Sequence, residues 1–140
     1  MRKNEEITMA RSRKQIGIVN GQDWWTNGSV MFRGVLAGEH PKQSGMQRVF
    51  DKAIKGGLKG PLTVGVATRN REYKVTYYSL LLDKVLAENI SEPFFQYAYD
   101  KKYTFWLGGD FNDSHSYIIC KKGEEIVGVI APLEMVKGEN

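Results

Sequence analysis

The segment WLGGDFNDSHSYIICKKGEE, residues 106–125, brings Asp110, Asp113 and His115 close together in the chain. A carboxylate beside an imidazole is the smallest equipment for proton transfer near neutrality, because the anion holds the imidazole pKa in a working range. If the residues after the glycines form a strand, positions 113 and 115 share one face and the pair can meet. Asp110, Asp113 and His115 are therefore the candidate catalytic groups. The other histidine, His40, just before Pro41, is a loop residue with no evident partner. A catalytic pair also needs a third group and a pocket, and the spacing supplies neither. Gly108-Gly109 and Asn112-Asp113 are equally the residue types that accept positive φ or cap their own backbone, so a hairpin loop explains them without any chemistry.

The stretch LGGDFND, 107–113, resembles the end of the active-site strand in the endonuclease/exonuclease/phosphatase family. There an Asp and an Asn help to position phosphate and water. The resemblance covers seven of 140 residues. That family's fold needs a four-layered sandwich well beyond this length, a separate metal-binding Glu and a distant Asp-His pair, whereas here Asp113-Ser114-His115 follows at once. The turn of a β-hairpin is the expectation.

Other chemistry has less to work with. Two histidines and Cys120 are too dispersed for a structural zinc set, and Asp110 with Asp113 lacks calcium-loop spacing. Neither a Gly-x-Ser-x-Gly elbow nor a phosphate loop occurs. Gly56-Gly57-Leu58-Lys59-Gly60 follows a helical pattern instead of opening one, so no helix N-terminus would face an anion there. No metal and no cofactor are expected, and the balance leans away from an enzyme.

Binding surfaces offer more. Basic side chains gather at Arg11, Arg13 and Lys14, at Lys52, Lys55 and Lys59, and at Arg69, Arg71 and Lys74. If the first and last groups share a face they make a cationic patch. Trp24 and Trp25 are adjacent, and adjacent strand residues face opposite sides, so two rings cannot enter one core. Either one ring is free to stack on a base or anchor a partner, or a helix or a second subunit covers the other face. Tyr77-Tyr78 and Phe94-Phe95 raise the same question, and a homo-oligomer is one answer to it.

The elements that must carry these groups read as follows. Asn20-Gly21 and Asn27-Gly28 are strong two-residue hairpin signals, since both central residues of a type I′ turn need φ > 0. They imply a meander over roughly 15–19, 22–26 and 29–36. Ser44 as an N-cap, Met46, Val49, Phe50 and Ile54 at helical spacing and a Gly56-Gly57 stop predict a helix over 44–56. PLTVGVAT and REYKVTYY alternate as strands joined near Arg69-Asn70. SLLLDKVLAENI places Leu81, Leu82, Val85 and Leu86 on one helical side and predicts a second helix over 79–90, closed by Pro93. PFFQYAYDKK is ambiguous. YTFWLGG, SHSYIICK and EIVGVIAPLE predict a C-terminal meander.

The fold class expected is α+β: a single domain with six to eight short, mainly antiparallel strands in hairpins and meanders, packed on two helices at about 44–56 and 79–90. The domain spans 15–136, after a flexible basic N-terminal arm over 1–14 and before a loose tail over 137–140. Met9 is a possible second start. Hydrophobic residues at 41% and charged residues at 26% are ordinary globular usage. One cysteine leaves stability to packing, as in a reducing compartment. With no signal-like or membrane-length apolar run, the expected location is cytoplasmic and no membrane partner is expected.

Twenty Lys and Arg against sixteen Asp and Glu leave +4, compatible with an anionic partner through counterion release and also with solubility alone. The functional expectation is a small non-catalytic binding or regulatory protein, inhibitor-like, using a basic and aromatic surface. Its residues would be Trp24, Trp25, Arg69, Arg71, Lys74, Arg11, Arg13 and Lys14. Its partner would be nucleic acid or a protein that handles nucleic acid. The alternative is a nucleotide-like small-molecule binder or small enzyme with its site at the 108–115 loop, possibly between subunits.

Overall fold

A computed structural model describes residues 13–110 and 115–133. Nine strands and two helices follow in the order β1 (Gln15–Val19), β2 (Gln22–Thr26), β3 (Val30–Arg33), α1 (Met46–Ile54), β4 (Lys59–Asn70), β5 (Val75–Leu82), β6 (Val85–Ser91), α2 (Glu92–Asp100), β7 (Thr104–Asp110), β8 (His115–Lys122) and β9 (Glu125–Ile130). The domain is α+β with one antiparallel sheet, ordered β1-β2-β3-β9-β8-β7-β4-β5-β6.

The first hairpin turns at Asn20 and Gly21, with φ of 50° and 77°, the left-handed pair that the dipeptide favours. The second hairpin turns at Gly28-Ser29, one residue later than Asn27-Gly28, since Thr26 faces Met31 and the Asn27 N–H donates to the Val30 carbonyl. Asn27 Oδ1 accepts the N–H groups of Ser29 and Val30, and the Thr26 hydroxyl donates to the Val30 carbonyl. β3 ends at Arg33; Gly34, at φ of 153°, still donates its N–H to the Asp23 carbonyl at 2.9 Å as the chain turns away. α1 starts at Met46 with Gly45 as N-cap and no side-chain cap; Ser44 does not cap it.

The second predicted helix is replaced by a hairpin. Residues 79–90 form the end of β5 and most of β6, joined by Asp83 and Lys84 at φ of 53° and 70°. Pairing of β5 with both β4 and β6 overrides a helical spacing that would have left Val85 and Leu86 in a core. They are in fact 68% and 55% exposed. The second helix lies just downstream. Pro93 sits in the first turn of α2, where its missing N–H costs nothing, so it opens a helix instead of closing one.

The sheet is covered on both faces, and each face has its own core. On one, Val19, Trp24, Met31, Ile119 and Val129 pack with Met46, Phe50 and Ala53 of α1. On the other, Trp25, Val30, Phe32, Leu62, Phe105, Ile118, Cys120, Val127 and Ile130 pack with Leu80, Ile90 and the α2 residues Phe95 and Ala98. The two helices therefore lie on opposite faces, not together on one. Trp24 and Trp25 are 2% and 4% exposed. Neither ring is offered to a partner, so the tryptophan pair is accommodated within one chain and gives no ground for an oligomer.

The second face closes because the sheet curls. The Leu133 N–H donates to the Asn89 carbonyl on β6, and the Ser116 hydroxyl on β8 donates to the Glu88 carboxylate. The far strands of the sheet thus return over its centre, and α2 fills the fold. Phe95 stacks on Tyr78 at 4.1 Å and on Phe105 at 5.6 Å, while Tyr97 meets Phe32 at 4.6 Å.

Glycine sets how closely the layers approach. A Cβ on Gly108 would lie 2.5 Å from the Ala53 carbonyl oxygen of α1 and 2.8 Å from Ile119, and one on Gly128 would lie 2.5 Å from the Phe32 ring. Gly108→Ala should therefore push α1 off the sheet and destabilise the fold by about 1–3 kcal/mol, read as a lower urea midpoint; an unchanged midpoint would show that the approach is not tight. Burial pushes the Tyr97 phenol up to about 12, with the nearby Tyr103 adding to the rise. A raised phenol pKa contributes stability that is complete below pH 10 and lost as pH climbs toward about 12. Thermal melts over that window should show this loss, and it should shrink in Tyr97→Phe.

Candidate functional site

The Asp-His segment forms the end of a hairpin. Asp110 and His115 are cross-strand partners at the last rung of β7 and β8, so the four residues 111–114 link two paired strands. Asp113 lies outside the described residues. Among the described residues no group of three or more His, Cys, Asp or Glu is placed to hold a metal ion. Cys120 is fully buried, and that burial pushes its thiol well above the ordinary range.

The basic groups separate by sheet geometry. β1 and β4 are divided by β2, β3, β9, β8 and β7, roughly 30 Å along the sheet. They also point to opposite ends: Gln15 opens β1 on the side where Lys59 opens β4, whereas Arg69 and Lys74 belong to the far β4–β5 turn. Arg13 and Lys14 do not join the 69–74 group into one patch. Lys14 instead places its ammonium 5.2 Å from the Trp25 ring. Arg11 lies outside the described residues. Lys52 is on α1 and Lys55 is its C-cap residue.

The 69–74 group stands on a ribbon. β4 pairs with β7 only up to Leu62, opposite Phe105, one rung before β7 begins at Thr104. Residues 64–70 continue beyond, about 20 Å of extended chain, paired with β5 alone. β6 accompanies β5 only as far as Tyr77. The last two rungs, Arg69↔Thr76 and Asn70↔Val75, are therefore two-stranded. A register shift between Val64 and Ala67 bends the ribbon as it leaves the sheet.

Arg69, Arg71 and Lys74 are all exposed at this end, with Glu72 the one acid among residues 69–76. Arg69 donates to the Thr76 hydroxyl at 3.2 Å across the ribbon, and the Asn70 side chain accepts the Tyr73 N–H to shape the turn. Strand β4 thus runs through Arg69-Asn70, and the connection is Arg71 to Lys74, with Lys74 at φ of 55°. Val66 is 75% exposed on the same ribbon.

Two further basic pairs lie at the same end of the sheet. Thr104 is opposite Lys121, so Lys101 and Lys102 before β7 and Lys121 and Lys122 at the end of β8 flank the base of the ribbon. Lys121 lies 4.4 Å from the Trp106 ring, and Lys101 lies 5.0 Å from Tyr97. The sequence reading passed over both pairs. The signal was present, since each Lys-Lys doublet borders a turn, but only strand pairing shows that the two turns lie beside the β4–β5 ribbon.

Because the thiol is both inaccessible and held neutral, Cys120 should resist a thiol reagent at pH 8 in the native protein and react at once in denaturant. Rapid native labelling would contradict its burial. No helix of the described residues is long and apolar enough to cross a membrane. Comparison with protein-family models, with curated proteins and with solved structures finds no match to this chain.

Proposed function

We propose that this protein is a non-catalytic binding module that engages nucleic acid through the β4–β5 ribbon. One observation carries the reading: a two-stranded extension leaves the body of the sheet, is exposed on its outer rungs, and ends in Arg69, Arg71 and Lys74. A β-ribbon of this width fits the major groove of B-form DNA, about 12 Å across. Arginine guanidinium groups can then take phosphate oxygens or guanine edges in pairs of hydrogen bonds. Lys101, Lys102, Lys121 and Lys122 at the ribbon base suit the flanking phosphate backbone, positioning the module without reading sequence.

The net charge of +4 supports this reading through where it is placed more than through its size. The ribbon tip sets three cations against Glu72, whereas the rest of the chain is nearly balanced. Such a contact surface acts by occupancy, as a regulator or inhibitor of other nucleic-acid-handling proteins would. A lone buried thiol fits a cytoplasmic setting for it.

Fluorescence anisotropy with a labelled DNA duplex at several salt concentrations tests the proposal. Affinity should fall steeply with salt, and Arg69→Ala with Arg71→Ala should lower the log–log salt slope by about 2 while weakening binding by roughly tenfold to a hundredfold. Lys101→Ala with Lys102→Ala should weaken binding less. Absent binding, or binding indifferent to salt and to the ribbon arginines, would refute it.

A further inference from the structure

A second concave surface lies at the sheet end opposite the ribbon tip, between α1 and the β2–β3 turn. It is a groove of about 480 Å³, within the range that holds small organic molecules. Its floor is apolar: Met31 of β3, Met46 of α1 and Val129 of β9 are all buried and all line it. Val49 and Tyr117 extend that lining. Two flexible thioethers at the floor can reshape around different hydrocarbon outlines.

The wall formed by α1 carries Arg48 and Lys52, one helical turn apart, and among the described residues no acidic one lines the groove. Neither cationic head has a hydrogen-bond or ion-pair partner among the described residues. The exposed carboxylate of α1, Asp51, instead accepts from the Gln47 amide at 3.0 Å. Like charges at this spacing weaken a helix slightly, which offsets the small gain Lys52 brings to the last turn of α1. An anion between them removes the repulsion and gains two charge-assisted contacts.

We infer that this groove binds a small organic anion with an apolar body. Its carboxylate or similar head would lie between Arg48 and Lys52, and its hydrocarbon or aromatic part would lie over Met31, Met46 and Val129. The site is independent of the ribbon: it uses none of the ribbon's residues.

Decanoate, with decanol as its uncharged counterpart, tests the inference by displacement of anilinonaphthalenesulfonate fluorescence from the folded full-length chain. Decanoate should bind saturably at one site. Decanol should bind at least about tenfold more weakly, and Arg48→Gln with Lys52→Gln should weaken decanoate by about tenfold or more. Both substitutions are on exposed helix positions, so melting curves should match the parent and separate lost binding from lost fold. Arg69→Ala with Arg71→Ala should leave decanoate affinity unchanged. Lack of saturable binding, equal affinity for decanol, or indifference to the α1 substitutions would each overturn the inference.

Discussion

Everything in this fold depends on the alternation of side chains along β2. Trp24 and Trp25 must face opposite sides of the sheet, and both are buried. A large indole on each face means that neither face of the central strands can be left to water. The same demand repeats across the sheet, where Met31 and Phe32, Ile118 and Ile119, and Val129 and Ile130 divide between the two cores. α1 supplies one cover. The curl of β4, β5 and β6, with α2 beneath them, supplies the other.

That arrangement also decides what is left exposed. Strands that serve the two cores are short, ending where their cover ends. β4 is twelve residues long and outruns its partner β7, so its second half has no core to serve. Length without burial is costly in conformational entropy unless something is gained by it, and the residues gathered at its end are arginine and lysine. The groove beside α1 arises differently. There the helix and the β2–β3 turn leave a gap floored by the edge of a genuine core, so apolar surface and helical cations meet at one place.

Much of the architecture was legible in the chain. Asn20-Gly21, the amphipathic pattern of α1 and the alternation in β7, β8 and β9 each encode their element locally, and the antiparallel α+β class follows from them. What failed was non-local. Leu81, Leu82, Val85 and Leu86 match a helical stripe as well as a hairpin, and only pairing with β4 decides between them. Pro93 is compatible with ending one helix or starting another, and the strand pairing of residues 79–90 leaves only the second. Of the candidate site residues, Arg69, Arg71 and Lys74 are together because they share one turn. Arg13 and Lys14 are apart from them because strand order, which no local pattern states, puts five strands between. The opposite facing of Trp24 and Trp25 follows from local alternation, whereas the cover over both depends on a helix on each side.

The central claim is that the ribbon, and not the 108–115 hairpin or the α1 face, is the surface that meets nucleic acid. Amide chemical-shift mapping of the isotope-labelled protein with a short DNA duplex at low salt tests it most directly. The account predicts that shifts concentrate at Arg69 to Thr76, with a weaker set at Lys101, Lys102, Lys121 and Lys122. Shifts centred on Gly108 to His115 or on α1, or none at all, would contradict it.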